Sequence, residues 1–292
     1  MTPYGSPPLV ATWGGVLDHL GGGHEANRPC RRVARTLIGL LPDAPMLALD
    51  AEWFIRGAVT TLVKEHGIRQ IVHADAGYPR DRGHNTHQIA HSLAPNCRTL
   101  YADADVFAFH AARCFRAESE QEAVVHAGLA DGISGILEHP AAAALLDAAL
   151  PTAVLCPAAE AVPDHVLARL LDDLARLLPA GGYLALGQLS TDDPALAARI
   201  DTAMAQGLDG NWGRLRTLDQ LAGVLGDALT GSPEPVKAPK HEHSTTYRPA
   251  GPPRGALLGT ITRIAAASPE PGRRAPTALP PGPGEPSGTT AS

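Results

Sequence analysis

Aromatic side chains are scarce in this chain: Phe, Trp and Tyr make up 4% of its 292 residues. A core built on ring stacking is therefore excluded, and burial must rest on Leu, Val, Ile and Ala. Cysteine is equally sparse. Cys30, Cys97, Cys114 and Cys156 lie far apart with no CxxC spacing. That disfavours a disulfide framework and a cysteine zinc site, and reduced thiols of a cytoplasmic protein are the expectation. An excess of positive charge is missing too: 24 Lys and Arg stand against 30 Asp and Glu, a formal net charge of -6. A broad nucleic-acid-binding face needs the opposite balance. No apolar run is long enough to span a bilayer. The longest, AAAALLDAALPTAVLCPAAEAV, is broken by Asp147, Pro151 and Pro157. The opening MTPYGSPPLVATWGG lacks the basic start and apolar stretch of a secretory signal.

What is present is an ordinary globular composition, 44% hydrophobic and 18% charged. Residues 1–15 read as irregular, and the Pro/Gly/Ser/Thr-rich stretch 249–292 reads as a disordered tail. Between them, helical stretches come first. VLDHL runs into glycines 21–23, Asn27 and Pro29 start a second helix that stops at Pro42, and Asp50 reads as the cap of a third that Gly67 ends. After that, strands and helices alternate. RQIVHA, CRTLYAD, EAVVHA, TAVLCPA and YLALGQLS are strand-like; residues 85–94, DVFAFHAARCF, DHVLARLLDDLARLL, residues 192–207 and TLDQLAGVLGDAL are helical. PVKA and STTYR complete the count as a weak closing pair. Alternation of this kind predicts a mostly parallel α/β sheet of roughly seven strands between helices. Ligands of such sheets bind beyond the carboxyl ends of the strands.

Those ends carry the candidate chemistry. IVHADAGYPRD leaves the first strand through a turn with small residues at Ala76 and Gly77, where backbone N–H groups can approach a nucleotide; Asp75 in the same turn repels phosphate. Asp103 ends the second strand, 26 residues after Gly77. A carboxylate there either accepts both hydroxyls of a ribose or, like Asp105, caps the next helix. His84, His87 and His91 share one helix face. With no cysteine or HExxH pattern beside them, a solvated or half-buried face is favoured over a metal site, and no metal is expected. Glu160, after the fourth strand, is either a base or a solvated loop acid. There is no Ser elbow and no phosphate P-loop.

In this order the motifs resemble those of a bacterial S-adenosyl methyltransferase family, from about Val16 to Tyr247. VLDHLGGG is similar to the family's opening Tyr-Asp-Tyr-Leu-Leu-Gly-Gly segment, with Asp18, Leu20, Gly21 and Gly22 in place. HADAGYPR aligns with its Asp-Ile-Gly-Thr-Gly-Leu-Pro-Thr loop through Gly77 and Pro79, and NTHQIA supplies the Asn85 and His87 that follow. YADAD resembles its Tyr-Val-Asp-Asn-Asp, LLPAGGYLALGQLS the segment before its fifth strand, and RLRTLDQLAGVL its Arg-Ser-x-x-Glu-Ile helix.

The resemblance implies a Rossmann-like class I methyltransferase fold: a helical cap at 16–67, a cofactor domain at 68–248, and S-adenosyl-L-methionine as cofactor. It implies cofactor contacts from Gly22, His73, Asp75, Gly77, Pro79, Asn85, His87, Asp103 and Ala104. Glu160 and His24 are then the acceptor-side candidates, toward a small-molecule or other methyl acceptor. The chain is a divergent member. His73 stands for the family's loop Asp, Asp75 for its first Gly, Gly128 for the acid after the third strand, Glu160 for a His, and Ala51–Glu52 for an Asn-Arg pair. Weakened cofactor binding, or a catalytically inactive regulatory or protein-binding chain, is what these departures imply.

Overall fold

In the computed structural model, residues 9–80, 84–117, 119–226, 234–235 and 254–264 are described. Three helices precede the sheet. In α1 (Trp13–Leu20) the Thr12 hydroxyl caps the N-terminus by accepting from the Gly15 N–H. In α2 (Arg28–Leu40) Asn27 accepts from the Cys30 N–H and Pro29 occupies the first turn. Its buried Cys30, Val33, Ala34 and Leu37 form one stripe at helical spacing. α3 is longer than its pattern predicts. It runs Ala44–Lys64, so Asp50 lies inside it rather than at its cap. Pro45 fits the first turn, where a missing N–H costs nothing, and the strong helix formers Met46 to Leu49 carry the helix on to Asp50. α1 likewise begins inside the stretch read as irregular.

Alternation follows, as expected: β1 (Gln70–Ala74), α4 (Thr86–Leu93), β2 (Arg98–Ala102), α5 (Val106–Phe115), β3 (Glu122–Val125), α6 (Ser134–Leu137), α7 (Pro140–Leu145), β4 (Thr152–Cys156), α8 (Asp164–Leu177), β5 (Gly182–Ser190), α9 (Pro194–Gly207) and α10 (Leu218–Leu225). β6 (Glu234–Pro235) and β7 (Ala256–Ile264) close the sheet in the order β3-β2-β1-β4-β5-β7-β6. Six strands have four residues or more, and β6 has two. β1 to β5 pair in parallel, whereas β7 runs antiparallel to β5 along its full length.

β7 corrects the reading of a disordered tail starting at 249. Burial in ALLGTITRI alternates from Leu258 to Ile264, but Thr260 and Thr262 are among the buried residues, so the strand shows no apolar–polar period in the sequence. Of the expected PVKA–STTYR pair only Pro235 is described, and 236–253 lie outside the described residues.

Side-chain alternation divides the core between the two sheet faces. Ile71, Ala153 and Ala185 pack in one cluster with Leu37, Val59 and Ile200 of α2, α3 and α9. Val72, Leu100 and Val154, adjacent in register, pack in the other with Leu170 and Leu221 of α8 and α10. The result is a three-layer α/β sandwich. No helix among the described residues is long and apolar enough to cross a membrane.

Candidate active site

β1 and β4 are neighbours in the sheet, and the strand order reverses between them, so their following loops part and leave a crevice. A cavity of about 1340 Å³ opens there. Its floor is the loop after β1 and the end of β2, and its roof is α1 and α3.

The loop after β1 turns sharply. Gly77 has φ 60°, and Asp75 has φ 49°, a left-handed backbone that costs a non-glycine residue about 1–2 kcal/mol. Gly14 of α1 presses on this loop so closely that a Cβ there would lie 3.3 Å from the Gly77 Cα. From below, the loop hangs on the buried guanidinium of Arg116, just past α5. Arg116 donates to the carbonyls of Gly77 (3.0 Å), Ala76 (3.2 Å) and Tyr78 (3.0 Å), and to the Asn85 Oδ1 (3.1 Å). Its charge lies 4.6 Å from the centre of the Tyr101 ring. The loop after β4 hangs on a second buried guanidinium. Arg216 donates to the carbonyls of Ala159 (3.0 Å) and Val162 (2.7 Å) and pairs with Asp164 at 2.7 Å. Both walls of the crevice are thus fixed by fork-shaped donors that satisfy several carbonyls at once.

Three side chains define the floor. His73 is 3% exposed; its Nδ1 shares a hydrogen bond with the Thr86 hydroxyl at 2.8 Å, and its Nε2 has no partner among the described residues. Burial, reinforced by the charge of Arg116, pushes its pKa down to about 3, so the ring is neutral. The Asp103 carboxylate accepts from the Gly77 N–H (2.7 Å) and the Asp105 N–H (2.8 Å), with lone pairs to spare. The cap of α5 is Asp105, which accepts from the Phe107 N–H at 2.8 Å; that resolves the open choice at Asp103 in favour of a group free of capping duty. Burial raises Asp103 to about 6. Asp75 reaches over the end of β2 to accept from the Leu129 N–H, just past β3, at 3.1 Å, and burial, then the charge of Asp103, pushes it up to about 7.

The roof is tied down from both sides. Thr12, which caps α1, donates to the Asp105 Oδ2 at 2.7 Å, and the Tyr78 hydroxyl meets the same oxygen at 3.2 Å. Arg80 bridges Glu52 of α3 (2.9 Å) and Asp18 of α1 (3.8 Å). Trp13 and Trp212 pack edge-to-face with centroids 4.8 Å apart.

His73, Asp75, Gly77, Asn85, Asp103 and Ala104 all line the cavity. The other expected residues lie elsewhere. Gly22 and His24 are exposed on the turn after α1, Pro79 is outside the lining, and His87 is buried against the Tyr101 hydroxyl at 2.9 Å. Glu160 is 1% exposed and outside the lining; it accepts from the Trp13 indole N–H (2.9 Å) and the Leu189 N–H (3.0 Å). It therefore orients Trp13 and is turned away from the cavity. The three helix-face histidines also diverge: His91 turns to the Cys97 carbonyl (2.9 Å) and Glu122 (3.3 Å), and His84 is exposed. Among the described residues no group of three or more His, Cys, Asp or Glu is arranged to hold a metal.

Arg116, Tyr78, Trp13 and Trp212 were not singled out from the sequence. An arginine just past a helix carries no local signal of a loop contact, whereas tryptophan in a chain this poor in aromatics is a signal that could have been read.

The sequence pattern of a family described as S-adenosyl methyltransferase matches residues 9–250. No curated protein matches the chain. Two solved structures share its fold. A Thermobifida fusca protein described as a candidate methyltransferase is 24% identical with TM-score 0.72, covering 88% of this chain and 96% of its own. A DUF574 family protein from Streptomyces avermitilis is 24% identical with TM-score 0.74, covering 88% of this chain and 98% of its own.

Proposed function

The chain belongs to the S-adenosyl methyltransferase family, whose cofactor is S-adenosyl-L-methionine, and from that premise we propose that it moves a methyl group to an acceptor held beneath α1 and α3. The carrying observation is Asp103: a carboxylate at the end of β2, freed from capping by Asp105 and fixed beside the Gly77 loop. Its spare lone pairs suit the two hydroxyls of a ribose. Two more features of this chain fit the cofactor. The neutral His73 Nε2 at the cavity floor offers a hydrogen bond that nothing among the described residues takes. The cavity also exceeds the about 300–1,000 Å³ usual for a single ligand.

When bound, the cofactor supplies an electrophilic methyl group on a sulfonium. The protein's task is then alignment and exclusion of water. Arg116 and Arg216 hold the two crevice loops, Asp103 and Gly77 set the nucleoside end, and Thr12, Asp105 and Tyr78 hold the roof over it.

One observation favours a second reading, a non-catalytic or weakly binding chain. Asp75 reaches over the end of β2, where Asp103 and Ala104 line the cavity, and occupies the Leu129 N–H. Its elevated pKa makes a neutral carboxyl accessible near pH 7, so it takes up cavity space without placing a full negative charge there. The readings separate on Asp103→Ala. If the site binds the cofactor, losing two charge-assisted hydrogen bonds should cost about 2 kcal/mol, roughly thirtyfold in the Kd of S-adenosylhomocysteine by calorimetry. A Kd unchanged by the substitution would remove Asp103 from the cofactor site.

A further inference from the structure

Resting on the methyltransferase reading above, we propose that the acceptor is a planar aromatic molecule without an anionic group, its ring against Trp13 and Trp212 and its far end leaving through an apolar mouth. The chain has three tryptophans, Trp13, Trp53 and Trp212, and all three line this one cavity. The polar handles of the inner pair are already engaged. Trp13 donates its indole N–H to Glu160 (2.9 Å) and Trp212 donates its own to Asp201 (3.0 Å). What the pair offers a ligand is ring surface, which favours another ring.

The mouth repeats the pattern. Eight large hydrophobic side chains are exposed among the described residues, and four of them, Val10, Trp53, Val106 and Phe107, line this cavity. Scattered exposed apolar residues carry no meaning, but a cluster rimming a pocket marks a binding surface. The cavity's volume leaves room beside a nucleoside cofactor for such a molecule.

Charge sets the other half of the specificity. Carboxyls of Asp18, Glu52, Asp75, Asp103, Asp105 and Asp131 line the cavity, Asp75 being the one that burial leaves part-neutral near pH 7. Of its three guanidiniums, Arg116 is committed to loop carbonyls and Arg80 to Asp18 and Glu52, which leaves the exposed Arg56 of α3. A phosphate or carboxylate on the acceptor would meet a majority of acidic groups, with Arg56 as the uncommitted guanidinium among the described residues to pair against.

The test uses two probes with one ring system: 2-naphthol, uncharged, and 2-naphthoate, anionic. Each is titrated calorimetrically into the full chain saturated with S-adenosylhomocysteine. The expected result is 2-naphthol binding at least about tenfold tighter than 2-naphthoate. Trp212→Leu should weaken 2-naphthol about fivefold or more, and Trp212→Phe should retain most of the affinity, with S-adenosylhomocysteine binding unchanged in both. Should Trp212→Leu fail to fold, the matched pair on the unmodified chain still decides. Equal affinity for the two probes, or no binding of 2-naphthol to a chain that binds S-adenosylhomocysteine, overturns the proposal. Failure of S-adenosylhomocysteine itself to bind overturns the methyltransferase reading instead.

Discussion

Replacing Arg116 by methionine should abolish cofactor binding and lower the stability of the fold by about 3–5 kcal/mol. The side chain is 3% exposed and satisfies three consecutive carbonyls and the Asn85 Oδ1. Methionine fills a similar volume but donates nothing, so buried acceptors are left without partners. The carbonyls concerned belong to Ala76, Gly77 and Tyr78, and the Gly77 N–H is what holds Asp103 on the other side of the loop. Loss of the clamp therefore reaches Asp103, the proposed ribose ligand, through one residue. Lysine should recover only part of both effects, because an ammonium cannot reproduce the planar fork. Denaturant unfolding and S-adenosylhomocysteine titration of Arg116→Met and Arg116→Lys check this together. A methionine variant with near-native stability and affinity would mean that the loop holds its shape without the guanidinium.

Asp75→Gly should have the opposite sign, tightening S-adenosylhomocysteine binding about tenfold or more and stabilising the chain. Glycine adopts φ 49° without strain, and its substitution releases the Leu129 N–H and the space that the carboxyl spans. The stabilisation should depend on pH. The Asp75 pKa is about 7 in the fold against an ordinary 3.8, so between those values the folded chain retains a proton that the unfolded chain has released. Stability contributed by this carboxyl is thus present below pH 3.8, falls as pH rises, and is gone above 7. The advantage of Asp75→Gly should therefore grow from pH 4 to 7, by up to about 4 kcal/mol, and level off beyond. Asp103, raised to about 6, contributes a slope of the same sign in the parent chain, and His73, lowered to about 3, one of opposite sign below its ordinary 6.5. Subtracting the two proteins' unfolding free energies at each pH leaves Asp75 together with its coupling to Asp103. A difference that is flat with pH, or an affinity that falls, would show that the carboxyl serves the site.

The alternation of strands and helices after Gly67 was legible because β1 to β4 are short, carry Val, Ile or Thr and are bounded by polar turns, and most helices are capped or amphipathic; β5, with no β-branched residue, shows instead as an apolar run after Gly181–Gly182. Asn27, Thr217 and the β1-to-β5 order are where local chemistry and fold agree. Asp50 misled because an acid before an apolar stretch reads as a cap whether or not a helix has already begun. β7 was hidden because its buried positions include Thr260 and Thr262, so no apolar–polar period stands out from the Pro- and Gly-rich sequence around it. In the site, the residues adjacent to strand ends, His73 to Gly77 and Asp103, fall where their spacing predicts. Glu160 and His24 did not, since proximity to a strand end or a glycine turn leaves open which way a side chain points. Arg116 and the tryptophan pair are assembled only in three dimensions, from segments separated by 39 residues for Arg116 and Gly77.

Calorimetric titration of the unmodified chain with S-adenosylhomocysteine decides whether the crevice between β1 and β4 receives the cofactor despite His73 and Asp75. One saturable site is expected, with a Kd below about 1 mM, weakened in Asp103→Ala and tightened in Asp75→Gly. An absence of heat and of saturation at millimolar ligand, in a chain shown by unfolding to be native, would contradict it.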